Sequence, residues 1–447
     1  MAQEFEILVL SEDVWFRRVV KPLQQLGHKV HFFFLNSEHL SSETLEAFET
    51  LLQKTKFHFC LIQSIYGLET HRDFGNRVDE LLDQYGIPKV AWFLDGPRQT
   101  GSFSVQRRWL KGPYWKNILF LCVDRGHIEF FTSRGLPAGH LPIGIDPDIQ
   151  KFVPTKDLIA TLTGSLSFVG RPPFGLPTMG SGDESDLRKE FLSQFLRQFE
   201  QFASELPYAV PTEAVKASRL EDLLSAVFNN RSFNSKHYDE TKTQLNETIE
   251  KTNPNLFEAW ICFSGTLDYA YSYLQMVIHL RDLVDCGLRV YGGENWKNFI
   301  PDLSGSCRRL TQDELYTLFR SSKISFCFTK LGFRGAVHER PLLSLACGGF
   351  PITDLREELY EFFERDEIVA YRNLEECKEL TRYYLRHESE RERITLKGQK
   401  KVFSRHTFFH RMAILVALAE KQWNLDSTKI YPIHHDRTSL NLGAKSP

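Results

Sequence analysis

The 447-residue sequence has no run approaching the roughly 18 consecutive apolar residues that cross a bilayer, so no membrane span is expected. Nor does it open like an exported protein. Met1-Ala2-Gln3-Glu4 carries no basic n-region and the apolar stretch at 7–10 is only strand-length, which points to the cytoplasm. An excess of either charge is also missing: with 55 Lys+Arg against 57 Asp+Glu the formal net charge is −2, and no overall field invites a nucleic acid. The eight cysteines include no Cys-x-x-Cys pair and sit mostly in apolar runs such as Ile324-Ser325-Phe326-Cys327-Phe328, so they read as reduced core residues. The 15 histidines form no His-Glu-x-x-His arrangement and zinc-ligand spacing is absent; neither a metal nor another cofactor is expected. Finally, Leu10-Ser11-Glu12-Asp13 follows the first predicted strand where a dinucleotide-binding protein would place Gly-x-Gly-x-x-Gly, which disfavours a Rossmann dehydrogenase.

What is present is an α/β alternation from the first residues. The pattern predicts a strand over 4–10, a helix over 14–26 ended by Gly27, and strands over 29–35, 57–63, 90–94 and 118–122 separated by helices. Strands that are nearly continuous apolar runs imply a parallel sheet covered on both faces. The rhythm breaks at the proline-rich turn 141–147 and restarts with a strand over 166–169 that leads into Gly170-Arg171. Residues 172–258 are first rich in Gly, Pro and Ser and then helical without strands, an apparent insertion. Alternation resumes with the helical face Tyr269, Tyr273, Met276, Val277, Leu280 and Val284, followed by strands over 288–291 and 323–328. Thr311 with Glu314, Asn373 with Glu376 and Ser389 with Glu392 have the spacing of capping boxes. The expected organisation is a Rossmann-like domain over 1–155, a second over 156–406 containing the insertion, a last helix over 407–425 packing back toward the first, and a loose polar tail over 426–447.

The segment 335–354, Gly-Ala-Val-His-Glu-Arg-Pro-Leu-Leu-Ser-Leu-Ala-Cys-Gly-Gly-Phe-Pro-Ile-Thr-Asp, encodes loop, helix, tight turn and strand. Proline is favoured at the first helical position, so Pro341 predicts a helix start there, with unbonded amides from about 342 to 344. Such a terminus suits a diphosphate, and Arg340 and His338 stand immediately before it, where a guanidinium can add a charge-assisted contact.

With Leu359, Phe362, Glu367, Val369, Tyr371, Arg391-Glu392 and His406-Thr407, the stretch from Arg340 through Ala346-Cys347-Gly348-Gly349-Phe350-Pro351-Ile352-Thr353-Asp354 resembles the C-terminal domain of CgeB-like glycosyltransferases, a family named for a spore-maturation protein. The resemblance extends to Trp92-Phe93-Leu94-Asp95-Gly96-Pro97-Arg98, Phe168-Val169-Gly170 and Val290-Tyr291-Gly292. It implies a GT-B fold: two Rossmann-like domains facing a cleft, the first taking the acceptor and the second a nucleotide-sugar donor. One position departs. Relatives read Arg-x-Phe-Glu-x-x-Ala-Cys-Gly-Gly, with the Glu expected to grip the ribose, whereas Leu342 and Leu343 stand here; Glu339 is the nearest substitute.

The resulting expectation is a metal-independent glycosyltransferase acting from a nucleoside-diphosphate sugar onto a glycan, protein or small-molecule acceptor. The alternative is a degenerate GT-B protein that binds a sugar or a protein without turnover. Asp95 and His338 are the candidate catalytic residues, and Asp95-Gly96-Pro97 also fits an ordinary turn. Candidate donor-side residues are Gly170, Arg171, Lys330, Arg334, Glu339, Arg340, Gly348, Gly349 and Asp354. Each has a structural reading as well: Asp354 as a helix cap, the double glycine as a turn, the basic loop around Gly332 and Gly335 as a solvated face, Arg171 as a pin for the insertion.

Overall fold

The computed structural model describes residues 4–11, 14–35, 41–63, 72–94, 117–172, 184–204, 220–228, 235–252, 254–303, 305, 307–330 and 332–425. Two compact units emerge: Met1–Pro147 with Gly335–Glu339 and Phe403–Pro447, and Asp148–Arg334 with Arg340–Val402.

In the first unit the strands are β1 (Glu6–Ser11), β2 (Lys29–Phe34), β3 (Phe59–Gln63), β4 (Lys89–Phe93), β5 (Ile118–Cys122) and β6 (Ala138–His140), the last not anticipated from the pattern. They form one sheet in the order β2-β1-β3-β4-β5-β6, parallel throughout. The helical stretch after β1 is a 3-10 turn, Val14–Val19, continued by α1 (Val20–Gln25); α2 (Ser42–Lys54), α3 (Arg72–Gln84) and α4 (Ile128–Thr132) follow. Every residue of β4 and β5 is buried, including Lys89. That ammonium is tolerated because Asp79 and Asp83 of α3 accept from Nζ at 2.7 and 2.8 Å, which ties the helix to the sheet. The last helix, Phe408–Trp423, groups with this unit. Its start is fixed by a Thr407–His410 capping box and by a bridge from Thr407 to Ile145. Arg411, fully buried, donates to the Ile143 carbonyl at 3.0 Å and the Arg405 carbonyl at 3.2 Å.

The second unit opens with α5 (Lys156–Leu162) and β7 (Gly164–Val169), followed by the helices α6 (Glu184–Ser204), α7 (Leu220–Phe228), α8 (Ser235–Thr252) and α9 (Pro254–Asp282). Then come β8 (Leu288–Tyr291), α10 (Gln312–Ser321), β9 (Ser322–Cys327), α11 (Glu339–Ala346), β10 (Pro351–Asp354), α12 (Leu359–Phe362), β11 (Val369–Tyr371), α13 (Leu374–Arg386) and α14 (Glu388–Arg405). This sheet runs β11-β10-β9-β7-β8, again parallel. In both sheets the second strand lies outside the first and the third starts the other flank, the arrangement of doubly wound α/β units.

Helix boundaries in this unit differ from expectation in places. The helical segment does not end near 258: Pro254 opens a single 29-residue helix that runs to Asp282. Its first half packs with α6 and α8 around Phe195, Phe199 and Trp260, and its second half joins the sheet core. Lys242 and Tyr238 both donate to Asp268 Oδ1, at 2.5 and 2.6 Å, pinning α8 to α9. Ser389 does not cap a helix, because α14 already begins at Glu388; the box at Thr311 forms, whereas Asn373 caps α13 by accepting the Glu376 amide while the Glu376 side chain reaches the Arg372 amide.

Candidate functional site

Strand order in the second unit reverses between β7 and β9, and open α/β sheets bind ligands outside the carboxyl ends of the strands at such a point. The chain delivers Gly170 and Arg171 there from β7, Gly292 and Gly293 from β8, and Thr329 and Lys330 from β9. Arg340, in the first turn of α11, joins them: its guanidinium carbon lies 5.8 Å from the Phe168 ring centroid.

Glycine at 170 and 292 is a requirement of this edge. A Cβ on Gly170 would come within 2.7 Å of the Phe168 ring and 3.8 Å of Arg340 Nη1, and one on Gly292, where φ is 127°, would stand 2.0 Å from the Gly170 carbonyl. Gly170 donates its amide to Tyr291 at 2.9 Å and accepts from Trp296 Nε1 at 2.7 Å, so the turn carrying Arg171 is anchored on both sides.

Lys330 is anchored from beneath. Asp354 accepts the Thr329 amide at 2.8 Å on Oδ1 and Arg356 Nε at 2.5 Å on Oδ2, while Arg356 also donates to the carbonyls of Thr329 and Phe333. Above this clasp the Lys330 ammonium stands 5.4 Å from the Tyr269 ring centroid and 5.3 Å from that of Tyr273. Burial pushes the Tyr273 phenol well up, its hydrogen bond with Tyr269 adds to this, and Arg340 and Arg171 draw it part of the way back. Burial also pushes the Cys327 and Cys347 thiols up to about 12, so neither is a thiolate nucleophile at neutral pH.

Gly170, Arg171, Lys330 and Arg340 are thus brought to one edge of one sheet. Others expected beside them are placed differently. Asp354 is buried under the Lys330 loop, its carboxylate engaged by Thr329 and Arg356, so it supports the site from inside the fold. Gly348 and Gly349 lie at the opposite end of α11, where the chain enters the amino end of β10; Gly348 has φ 81° and a Cβ on Gly349 would strike the Phe319 carbonyl at 2.1 Å. They make a tight turn, away from the carboxyl edge. Arg334 is exposed on the loop between β9 and α11.

The helix itself starts two residues before expected. With α11 beginning at Glu339, Pro341 falls inside the first turn, a place where its missing N–H also costs nothing. The first-turn amides accordingly belong to His338, Glu339 and Arg340. Leu342, Leu343 and Ser344, expected to offer donors, are buried. Glu339 pairs with Arg18 at 3.7 Å in the first unit. His338 is half-buried on the same loop, whose Gly335 and Ala336 amides donate to Asp124 Oδ2 at 3.1 and 3.4 Å. Asp95 lies outside the described residues.

Sequence reasoning missed Tyr269, Tyr273 and Asp124. The tyrosines were visible only as members of an apolar helical face, although a pair of phenols four residues apart in an otherwise aliphatic stripe is a usable signal. Asp124 follows β5 and carried no motif.

A family model described as glycosyl transferase-like matches residues 274–417, less than half of the chain. The match contains Lys330 and Arg340 and leaves out Gly170, Arg171, Tyr269 and Tyr273. No curated protein sequence matches. Among solved structures the chain is similar to a sucrose-phosphate synthase from Thermosynechococcus elongatus, with TM-score 0.48 and 10% identity over 95% of this chain and 100% of that one. It is also similar to Anabaena HepE solved with UDP-glucose, with TM-score 0.47 and 9% identity over 93% and 100%. A UDP-forming α,α-trehalose-phosphate synthase from Burkholderia xenovorans aligns with TM-score 0.43 and 10% identity over 94% and 99%. No helix among the described residues is long and apolar enough to cross a membrane.

Proposed function

We propose that this protein is a cytoplasmic glycosyltransferase of the GT-B type, using a nucleoside-diphosphate sugar whose diphosphate rests on Arg171, Lys330 and Arg340. The observation that carries the reading is the convergence of these three cations on the switch point of the second sheet, beside a strand-end turn that Gly170 and Gly292 let pack closely on itself. Transfer of a glycosyl group breaks the bond from the anomeric carbon to the diphosphate, and charge builds on the departing oxygens. Fixed guanidinium and ammonium groups stabilise that charge, and the reaction then proceeds without a metal. Asp95 is the proposed general base for the acceptor hydroxyl, and His338 the proposed second catalytic group.

A calorimetric panel of nucleoside diphosphates and their sugars, followed by a hydrolysis assay in EDTA with any binder, tests the proposal. Release of free sugar from one donor supports it, and failure of every nucleoside diphosphate to bind sinks it. The buried Leu343, at the position where the resembled family carries its ribose-gripping glutamate, favours a second reading: a protein that binds a sugar or a protein partner without turnover. Donor binding without hydrolysis or transfer in the same panel would select it.

A further inference from the structure

The helical segment between β7 and β8 ends in α9, and two of its residues reach the candidate donor site. Tyr269 and Tyr273, one turn apart, have ring centroids 4.4 Å apart and tilted by 52°, and their side chains share a hydrogen bond. The Lys330 ammonium lies within 5.5 Å of both rings at once, inside the range where a cation is attracted to an aromatic face. Tyr273 is almost fully buried and also feels Arg340 and Arg171, so it neighbours all three cations of the edge.

We propose that Tyr269 and Tyr273 are positioning residues that hold the Lys330 ammonium in place for a diphosphate ligand. The inference rests on the donor-site reading given above and adds a role for the helical insertion. A lysine side chain has many rotamers, and ordering them at the moment of binding weakens affinity. Two rings under the ammonium, with the Asp354–Arg356 clasp under its backbone, remove most of that ordering beforehand. The insertion is then part of the ligand site, because shifting α9 shifts the cation.

The experiment is a double-mutant cycle on the full chain, read by calorimetry with inorganic pyrophosphate and with UDP, GDP and ADP. Tyr269→Leu with Tyr273→Leu is expected to weaken binding about tenfold when Lys330 is present and by less than about twofold in a Lys330→Met background. Tyr269→Phe with Tyr273→Phe keeps both ring faces and is expected to stay within about threefold of the wild type, which also guards against loss of fold in the leucine variant. Equal losses with and without Lys330, or phenylalanine variants as weak as the leucine ones, overturn the positioning role while leaving the donor reading intact. A wild-type protein that binds none of the four probes overturns both.

Discussion

Replacing Arg340 with methionine removes one guanidinium while keeping an unbranched apolar stem, which makes it the sharpest probe of the second unit's strand-end edge. The side chain is half-buried, with its guanidinium carbon 5.8 Å from the Phe168 ring centroid. A hydrogen bond from a charged donor to a phosphoryl oxygen contributes about 1.5–3 kcal/mol, and partial exposure argues for the middle of that range. About 2 kcal/mol corresponds to a roughly thirty-fold rise in the Kd of a nucleoside diphosphate. Loss of the cation–ring contact costs about 0.5–1 kcal/mol, which lowers the melting temperature by about 2–4 °C. The assay is paired titration calorimetry with a nucleoside diphosphate and with the bare nucleoside, alongside scanning calorimetry. The bare nucleoside is expected to bind both proteins alike, because it makes no phosphate contact. An Arg340→Met protein that binds the diphosphate as tightly as the wild type, within about twofold, would refute the placement of the phosphates beside this residue.

Three further outcomes follow from geometry. Gly170→Ala forces a Cβ to within 2.7 Å of the Phe168 ring and displaces the aromatic surface against which Arg340 rests; a stability loss of about 1–3 kcal/mol with weakened diphosphate binding is expected, and unchanged binding would contradict the coupling. Asp124→Ala strips the acceptor from the Gly335 and Ala336 amides, so hydrogen exchange of both should accelerate by about tenfold or more, whereas Asp124→Asn, which keeps one acceptor oxygen, should lie between. Glu314 is held down to about 2 by the Arg308 guanidinium and the Thr311 amide, below its ordinary 4.5, so its contribution is complete above pH 4.5 and is lost as pH falls toward 2. Glu314→Gln should remove that acid-side slope, by less than about 1 kcal/mol because the pair is partly exposed to solvent, and denaturant midpoints at several pH values would reveal it.

How much of this was legible beforehand varied with the physics. Strands such as Ile118–Cys122 announce themselves because burial on both faces demands an unbroken apolar run, and the box at Thr311 is readable because its donors and acceptors are local. The start of α11 was misplaced because proline is accepted throughout a first helical turn, not only at its first position. The glycine pair at 348–349 was placed beside the ligand because a turn required by packing and a turn that admits a phosphate have the same composition. Periodicity also cannot separate a tyrosine that fills a core from one that forms the wall of a site, which hid Tyr269 and Tyr273. Gly335–Glu339 group with the first unit, where the Gly335 amide donates to Asp124, more than 200 positions away, and no local pattern encodes such a partnership.

The first unit is assembled from three separate stretches of polypeptide. No single cut in the gene can therefore liberate it whole. A product ending at Pro147 would lack the Phe408 ring that meets Trp15 and Trp92 at centroid distances of 5.6 and 6.3 Å, leaving an oily scar on the fragment. Ribosomes reach residue 147 long before they make Phe408, so during synthesis this unit waits about 260 residues more before its packing can close.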